Sequence, residues 1–288
     1  MKAYRKIGDL PRHRRIKAIL GKALHLLCPK TTSEVLAKPY SQTWGFHGRL
    51  IRNGHLQNAV EQQDHDALHR FLTDFWASPA SLEFFDYFSH RFEDLFLKFH
   101  AGIVDEISST ISGVVNEPIR LIELGSGDGR VLEFLADNLP SIREFHGLDL
   151  NHKQISECQR KHQQSGKIFF HNADVFQWLK ENQSGKTVFF TNGGVLEYFT
   201  RPQLIDLFKL LRGTSSTSLV AITETLAVDH DLKEEPVTFP YGHEFAFSHN
   251  YPAILAESGF KETYRNDRFT KEGEEWHPTR WLQMVAVC

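Results

Sequence analysis

The chain has 288 residues and a net charge of −3, with 41% hydrophobic, 24% charged and 12% aromatic residues. That length supports a large buried core, and the balance excludes collagen-like, wholly disordered and disulfide-scaffold classes. No run approaches the roughly 18 apolar residues of a membrane-spanning helix, the charged start lacks a secretory signal's apolar stretch, and Cys28, Cys158 and Cys288 show neither CxxC spacing nor an even framework. Ordinary thiols in a reducing, cytoplasmic setting are expected, without structural zinc.

Residues 1–30 hold nine Lys/Arg against one acid, Asp9, which leaves 24 basic and 35 acidic residues, a net −11, in the remainder. Such a body is a poor partner for a phosphate backbone, so nucleic acid is not expected as a substrate. Within the basic segment Ile16, Ile19, Leu20, Ala23, Leu24 and Leu27 fall on one helical face. The spacing predicts a helix docked on its own protein with a solvated basic face. Peripheral contact of residues 1–30 with an anionic membrane is the alternative, and an Arg-rich, acid-poor start also resembles an organelle-targeting peptide. Residues 30–60, punctuated by Pro39, Gly45, Gly48 and Gly54, read as irregular. From Val60 to Ser112 the pattern is helical and rich in aromatics, among them Phe71, Phe75, Trp76, Phe84, Phe85, Tyr87, Phe88, Phe92, Phe96 and Phe99. Most should be core, with a minority walling a pocket.

After Pro118 short β-type runs alternate with helical ones. Strands are expected at Ile119–Glu123, Glu144–Leu148, Lys167–Phe170, Thr187–Phe190 and Ser218–Thr223, with helices near Arg130–Asn138, His152–Gln164, Val175–Glu181 and Pro202–Leu211. Alternation of this kind predicts a parallel sheet covered on both faces. A helix at Asn250–Ser258, a run at Phe260–Tyr264, a charged turn at Lys271–Glu275 and a strand at Trp281–Val287 predict an antiparallel hairpin added at the sheet edge. Two regions follow: a basic, aromatic-rich helical part, residues 1–115, covering an acceptor or making an interaction, and an α/β part, residues 116–288.

The stretch Leu121-Ile122-Glu123-Leu124-Gly125-Ser126-Gly127-Asp128-Gly129-Arg130 ends a buried strand in an acid, alternates three glycines and opens a helix. Glycines permit a tight turn and close approach of a ligand, and the N–H groups of a new helix favour an anionic group. Asp149, ending the second strand 20 residues after Gly129, suits ribose hydroxyls. Asp174, after the third strand with Val175 beside it, suits an adenine amine. Singly, either aspartate reads as a helix N-cap; together they outline an adenosine pocket. The dinucleotide fingerprint GxGxxG would place glycine where Arg130 stands, and the phosphate loop GxxxxGK[ST] is absent.

The set Glu123-x-Gly125-x-Gly127-x-Gly129, Asp149, Asp174 and Asn192-Gly193-Gly194 closely resembles the class I S-adenosylmethionine-dependent methyltransferases, over residues 116–288. The resemblance implies a Rossmann-like, mostly parallel seven-stranded sheet with an antiparallel last strand. It also implies Glu123, Gly125, Ser126, Gly127 and Gly129 around the methionine portion of S-adenosylmethionine, Asp149 and Leu150 at the ribose, Asp174 and Val175 at the adenine, and Asn192 and Gly193 facing the sulfonium. Methyl transfer by in-line displacement needs positioning and exclusion of water rather than a covalent nucleophile. A hydroxyl acceptor benefits from a base.

The base candidates are His243 and His249, in the loop that in this fold lies over the site, and Glu197 after the fourth strand. Glu224, ending the fifth strand, reads as a surface acid, and Asp229-His230-Asp231 as a solvated loop, so no metal is expected. Asn192-Gly193-Gly194-Val195 stands where methyltransferases of DNA amines carry Asn-Pro-Pro-Tyr. The run Ser248-His249-Asn250-Tyr251-Pro252 is similar to stretches in sugar O-methyltransferases. The expected function is methylation of a small molecule, foremost a hydroxyl of a sugar or other metabolite. The alternatives are protein or amine N-methylation, or a non-catalytic cofactor-binding subunit. Oligomeric state leaves no mark on the sequence.

Overall fold

Alternating β and helical runs give a seven-stranded sheet. The computed structural model describes residues 12–38, 45–82, 89–113, 120–183, 185–214, 217–234, 237–242, 245–270 and 279–288. Strands β1 (Arg120–Leu124), β2 (Glu144–Asp149), β3 (Ile168–Asn172), β4 (Lys186–Asn192), β5 (Thr217–Leu226), β8 (Lys261–Phe269) and β9 (Arg280–Val287) lie in the order β3-β2-β1-β4-β5-β9-β8. All neighbours from β3 to β5 pair in parallel. β9 runs antiparallel between β5 and β8, and the β8–β9 hairpin closes the edge as its sequence pattern predicts. A separate short hairpin, β6 (Phe239–Tyr241) with β7 (Ala246–Ser248), lies within the stretch read as a loop.

Both faces of the sheet are buried. Helices α6 (Arg130–Asn138) and α7 (His152–His162) contribute Leu132, Leu135 and Ile155 to the cluster on one face, with α5 (Ile103–Gly113). α8 (Val175–Glu181), α9 (Arg201–Thr214) and α10 (Tyr251–Glu257) fill the other. Short polar side chains start these helices by accepting otherwise orphaned amides: Asn151 for α7, Asp174 for α8 and Asn250 for α10.

Ahead of the sheet lie α1 (Arg12–Leu27), α2 (Pro29–Leu36), α3 (Phe46–Gln62), α4 (His65–Ala77), a 3-10 turn at Pro79–Ser81 and a π-helix at Phe92–His100. The irregular reading of residues 30–60 is therefore corrected. Gly54 sits inside α3 because α1 crosses it there at Gly21: a Cβ on Gly21 would stand 2.0 Å from the Leu50 carbonyl, and one on Gly54 2.3 Å from the Gly21 carbonyl carbon. This glycine marks a close helix crossing rather than a break.

That crossing also overturns the expected docking face of α1. Ala18 and Gly21 are buried against α3, whereas Ile16, Ile19, Leu20 and Leu27 are 50%, 52%, 47% and 78% exposed. Helices α3 and α4 join the α/β part through a shared core in which Leu56, Val60 and Leu68 pack with Phe245 and Phe247 of the short hairpin. Phe84, Phe85, Tyr87, Phe88, Ile119, His243 and the turn Lys271–Glu275 lie outside the described residues.

Candidate active site

The carboxyl ends of β1, β2, β3 and β4 open into one cavity of about 280 Å³, near the lower end for small-molecule clefts. Glu123, Gly125, Ser126, Gly127, Asp149, Leu150, Asp174, Val175, Asn192 and Gly193 all line it; Gly129 does not. Gly125 and Gly129 have φ of +74° and +81°, left-handed backbone that non-glycine residues adopt at a cost of about 1–2 kcal/mol. A Cβ on Gly125 would also stand 2.6 Å from Val195 Cγ2, and one on Gly129 2.7 Å from Phe170 Cζ. Gly129 thus serves by letting the turn pack on β3.

The turn's amides are engaged within the protein. The N–H groups of Gly125 and Ser126 donate to the Leu148 carbonyl, that of Gly127 donates to Asp149 Oδ2 at 3.0 Å, and that of Gly129 donates to the Ser126 carbonyl. These bonds stitch the glycine turn to the end of β2. Left open instead are side-chain atoms: Glu123 Oε2 and Ser126 Oγ are buried without a hydrogen-bond partner. Burial, aided by the nearby Asp128 and Asp149, holds the Glu123 carboxyl well above the usual carboxylate range. An orphaned acid inside a cavity suits a cationic group such as an ammonium. Burial also raises Asp149, against the backbone amides of Asn151, Gly127 and Leu150. Asp174 uses Oδ1 to cap α8 through the Gln177 amide, so its N-cap role and its place on the cavity coexist.

At the end of β4, Asn192 Oδ1 accepts from His100 Nδ1 at 2.9 Å. A buried, unpartnered Nε2 and a ring held down to about 3 by burial keep His100 neutral. The Arg91 guanidinium donates to the Gly193 carbonyl. Arg130, standing where the dinucleotide fingerprint wants glycine, donates to Glu93 Oε1 at 2.9 Å and to the Ser89 carbonyl at 2.7 Å. Residues 89–93 are thereby tied to the glycine turn on one side and to the β4 end on the other.

Of the base candidates, His249 and Glu197 are described, and neither reaches the cavity. His249 is fully buried, donates or accepts at both nitrogens, with Thr238 Oγ1 at 2.8 Å and the Phe199 carbonyl at 3.0 Å, and is pushed down to about 3 by burial. It does not line the cavity. Glu197 is also buried off the cavity, accepting from Thr225 Oγ1 at 2.7 Å and from Tyr241. Glu224 is no surface acid: it is fully buried, accepts from Thr191 Oγ1, Val195 N–H and Leu196 N–H, and is pushed up to about 8 by burial. His230 is buried against Ser248 Oγ. Among the described residues no group of three or more His, Cys, Asp or Glu side chains is placed to hold a metal ion.

The sequence reading missed most of the opposite wall. Tyr198, which the sequence puts with Glu197 on the acceptor side, lines the cavity, and His69, Thr73 and Trp76 of α4, Arg91, Phe199 and Gln203 line it too. Of the aromatic-rich run, Trp76, Phe92 and Phe96 line it. The i, i+4, i+7 spacing of His69, Thr73 and Trp76 was the available signal, since it puts all three on one helix face.

Residues 121–214 match the family described as a methyltransferase domain. Solved structures are similar at low identity. Magnesium protoporphyrin IX methyltransferase from Synechocystis PCC 6803, with bound S-adenosylmethionine, is 16% identical, with 76% of this chain and 96% of that one covered at a TM-score of 0.48. An S-adenosylmethionine-dependent methyltransferase from Clostridium acetobutylicum is 14% identical, covering 70% and 98% at 0.48. The N-methyltransferase NodS from Bradyrhizobium japonicum, with S-adenosylhomocysteine, is 15% identical, covering 67% and 87% at 0.46. No curated protein matches the sequence.

Proposed function

We propose that this chain, whose residues 121–214 match the methyltransferase-domain family, uses S-adenosylmethionine to methylate a hydroxyl of a small molecule, a sugar or another metabolite. The observation that carries the cofactor assignment is the convergence of the orphaned Glu123 carboxyl, Ser126, Asp149, Asp174 and the Asn192–Gly193 backbone on one cavity. Glu123 would hold the ammonium of the methionine portion, Asp149 the ribose hydroxyls, and Asp174 with Val175 the adenine. The cofactor supplies a methyl carbon activated by the positive sulfonium beside it.

The opposite wall supports a hydroxylated acceptor. Trp76 and Tyr198 pair at 5.3 Å between ring centroids and, with Thr73 and Gln203, offer apolar ring faces beside hydrogen-bonding groups. This mixture suits a compact ring bearing hydroxyls. The cap of residues 1–115 then serves as acceptor cover, excluding water from the displacement.

A panel of sugars and small hydroxylated, amine and peptide acceptors, incubated with the enzyme and methyl-labelled S-adenosylmethionine, tests the reading. Label is expected in alkali-stable ethers of a hydroxylated small molecule. Label confined to amines or to protein overturns the acceptor assignment.

A further inference from the structure

A hydroxyl must lose its proton as it is methylated, and His249 and Glu197, the described base candidates after β4, stand away from the cavity. We propose that His69, in the helical cap, is the general base. The inference rests on the hydroxyl-acceptor reading above.

His69 lines the cavity from α4, on the same face as Thr73 and Trp76. Its Nδ1 lies 2.7 Å from the Tyr198 carbonyl oxygen. A carbonyl only accepts, so Nδ1 carries the hydrogen and the lone pair resides on Nε2. Among the described residues Nε2 has no protein partner, and the ring lies against Phe199 with centroids 5.8 Å apart. The carbonyl that fixes this tautomer belongs to the turn Leu196–Tyr198 that follows Asn192–Gly193, so the base is registered to the β4 end where the sulfonium is assigned. It also lowers the energy of the imidazolium that forms. Rigidity comes from α4: Asp64 caps it through the Ala67 amide, and Ala67, Leu68 and Leu72 anchor its other face. No other histidine of the described residues combines a place on the cavity with a defined, unengaged nitrogen.

The step balances without a further reactant. The acceptor oxygen uses a lone pair to bond the methyl carbon as the carbon–sulfur bond breaks, its electron pair staying on sulfur. Nε2 takes the hydroxyl proton and later releases it to solvent. The products are a methyl ether, a neutral thioether and a proton.

His69→Ala and His69→Gln in the full chain test the assignment, with the most active hydroxylated acceptor of the panel. Both variants are expected to keep S-adenosylmethionine affinity within about twofold by calorimetry and to lose about 10²–10⁴-fold in kcat, the usual worth of a general base. Added imidazole is expected to restore His69→Ala at least about tenfold, which loss of packing alone would not allow. An acceptor with a more acidic hydroxyl should suffer less. Turnover within about threefold of wild type in both variants overturns the proposal, as does a fall in cofactor affinity with kcat unchanged, which would make His69 a nucleoside contact. A wild-type enzyme that methylates no hydroxyl at all overturns the parent reading instead, and this inference with it.

Discussion

The cavity's two walls are made of different material. The cofactor wall is a turn and strand ends: Gly125 and Gly127 in the turn after β1, an orphaned glutamate at the end of β1 and an aspartate at the end of β2, set by strands whose parallel register fixes them. The opposite wall, assigned to the acceptor, is drawn from α4, from residues 91–96 and from the turn after β4. It is held to the sheet by Arg130 to Glu93 and Ser89, by Arg91 to Gly193, and by Asn151 Nδ2 to Ser81 Oγ at 2.8 Å. The first wall can be exchanged only at the expense of the fold, while the second can be rewritten residue by residue. This is the arrangement expected of a scaffold that keeps one cofactor and varies its acceptor.

Substitutions separate the walls. The largest effect is expected from Gly125→Val, which forces a β-branched residue into φ +74° with its Cβ 2.6 Å from Val195. Strain and overpacking together cost about 3 kcal/mol, and cofactor affinity should fall more than about 100-fold by calorimetry, with Tm lowered as well. Asp149→Ala removes the acceptor for the Gly127 and Asn151 amides along with the side chain proposed to hold the ribose. A loss of about 10–100-fold in cofactor affinity is expected, and His69→Gln should leave that quantity alone.

A pH series probes the support behind the β4 end. Burial lifts Glu224 from an ordinary 4.5 to about 8, so the folded protein holds this proton more tightly than the unfolded chain. The associated stability is present in full below about pH 4.5 and is lost as pH rises through about 8. Glu224→Gln carries no such proton. Its Tm relative to wild type should therefore climb between pH 5 and 9, and a flat difference would mean that Glu224 stays ionised throughout. The smallest change is expected from Ser81→Ala, which leaves the Asn151 amide one partner fewer at the joint between cap and sheet. A cost of about 1 kcal/mol lowers Tm by about 3 °C with cofactor affinity unchanged; a large loss of affinity would make the two walls inseparable.

The sheet and its cofactor wall were legible because local backbone geometry dictates residue type. Positive φ at Gly125 and Gly129 demands glycine, and strand ends place Asp149 and Asp174 at predictable intervals. Elsewhere tertiary contact overrode local pattern. Gly54 reads as punctuation, yet it exists for the crossing of α1 over α3. The run Ser248-His249-Asn250 reads as a polar loop over a site with Ser248 or Asn250 as a helix cap; Asn250 does cap α10, but Ser248 Oγ receives the Ala227 amide and His249 bridges Thr238 and Phe199 as scaffold. Spacing with Thr73 and Trp76 puts His69 on a shared helix face but does not mark it as a base, since the carbonyl that sets its tautomer lies 129 residues further along the chain.

Calorimetric titration of the wild-type chain with S-adenosylmethionine, alongside a thermal melt, tests the cofactor assignment most directly. One saturable site is expected, with about 2.7 kcal/mol of added stability at 100 times Kd. Absence of both binding heat and any rise in Tm at millimolar cofactor would contradict it.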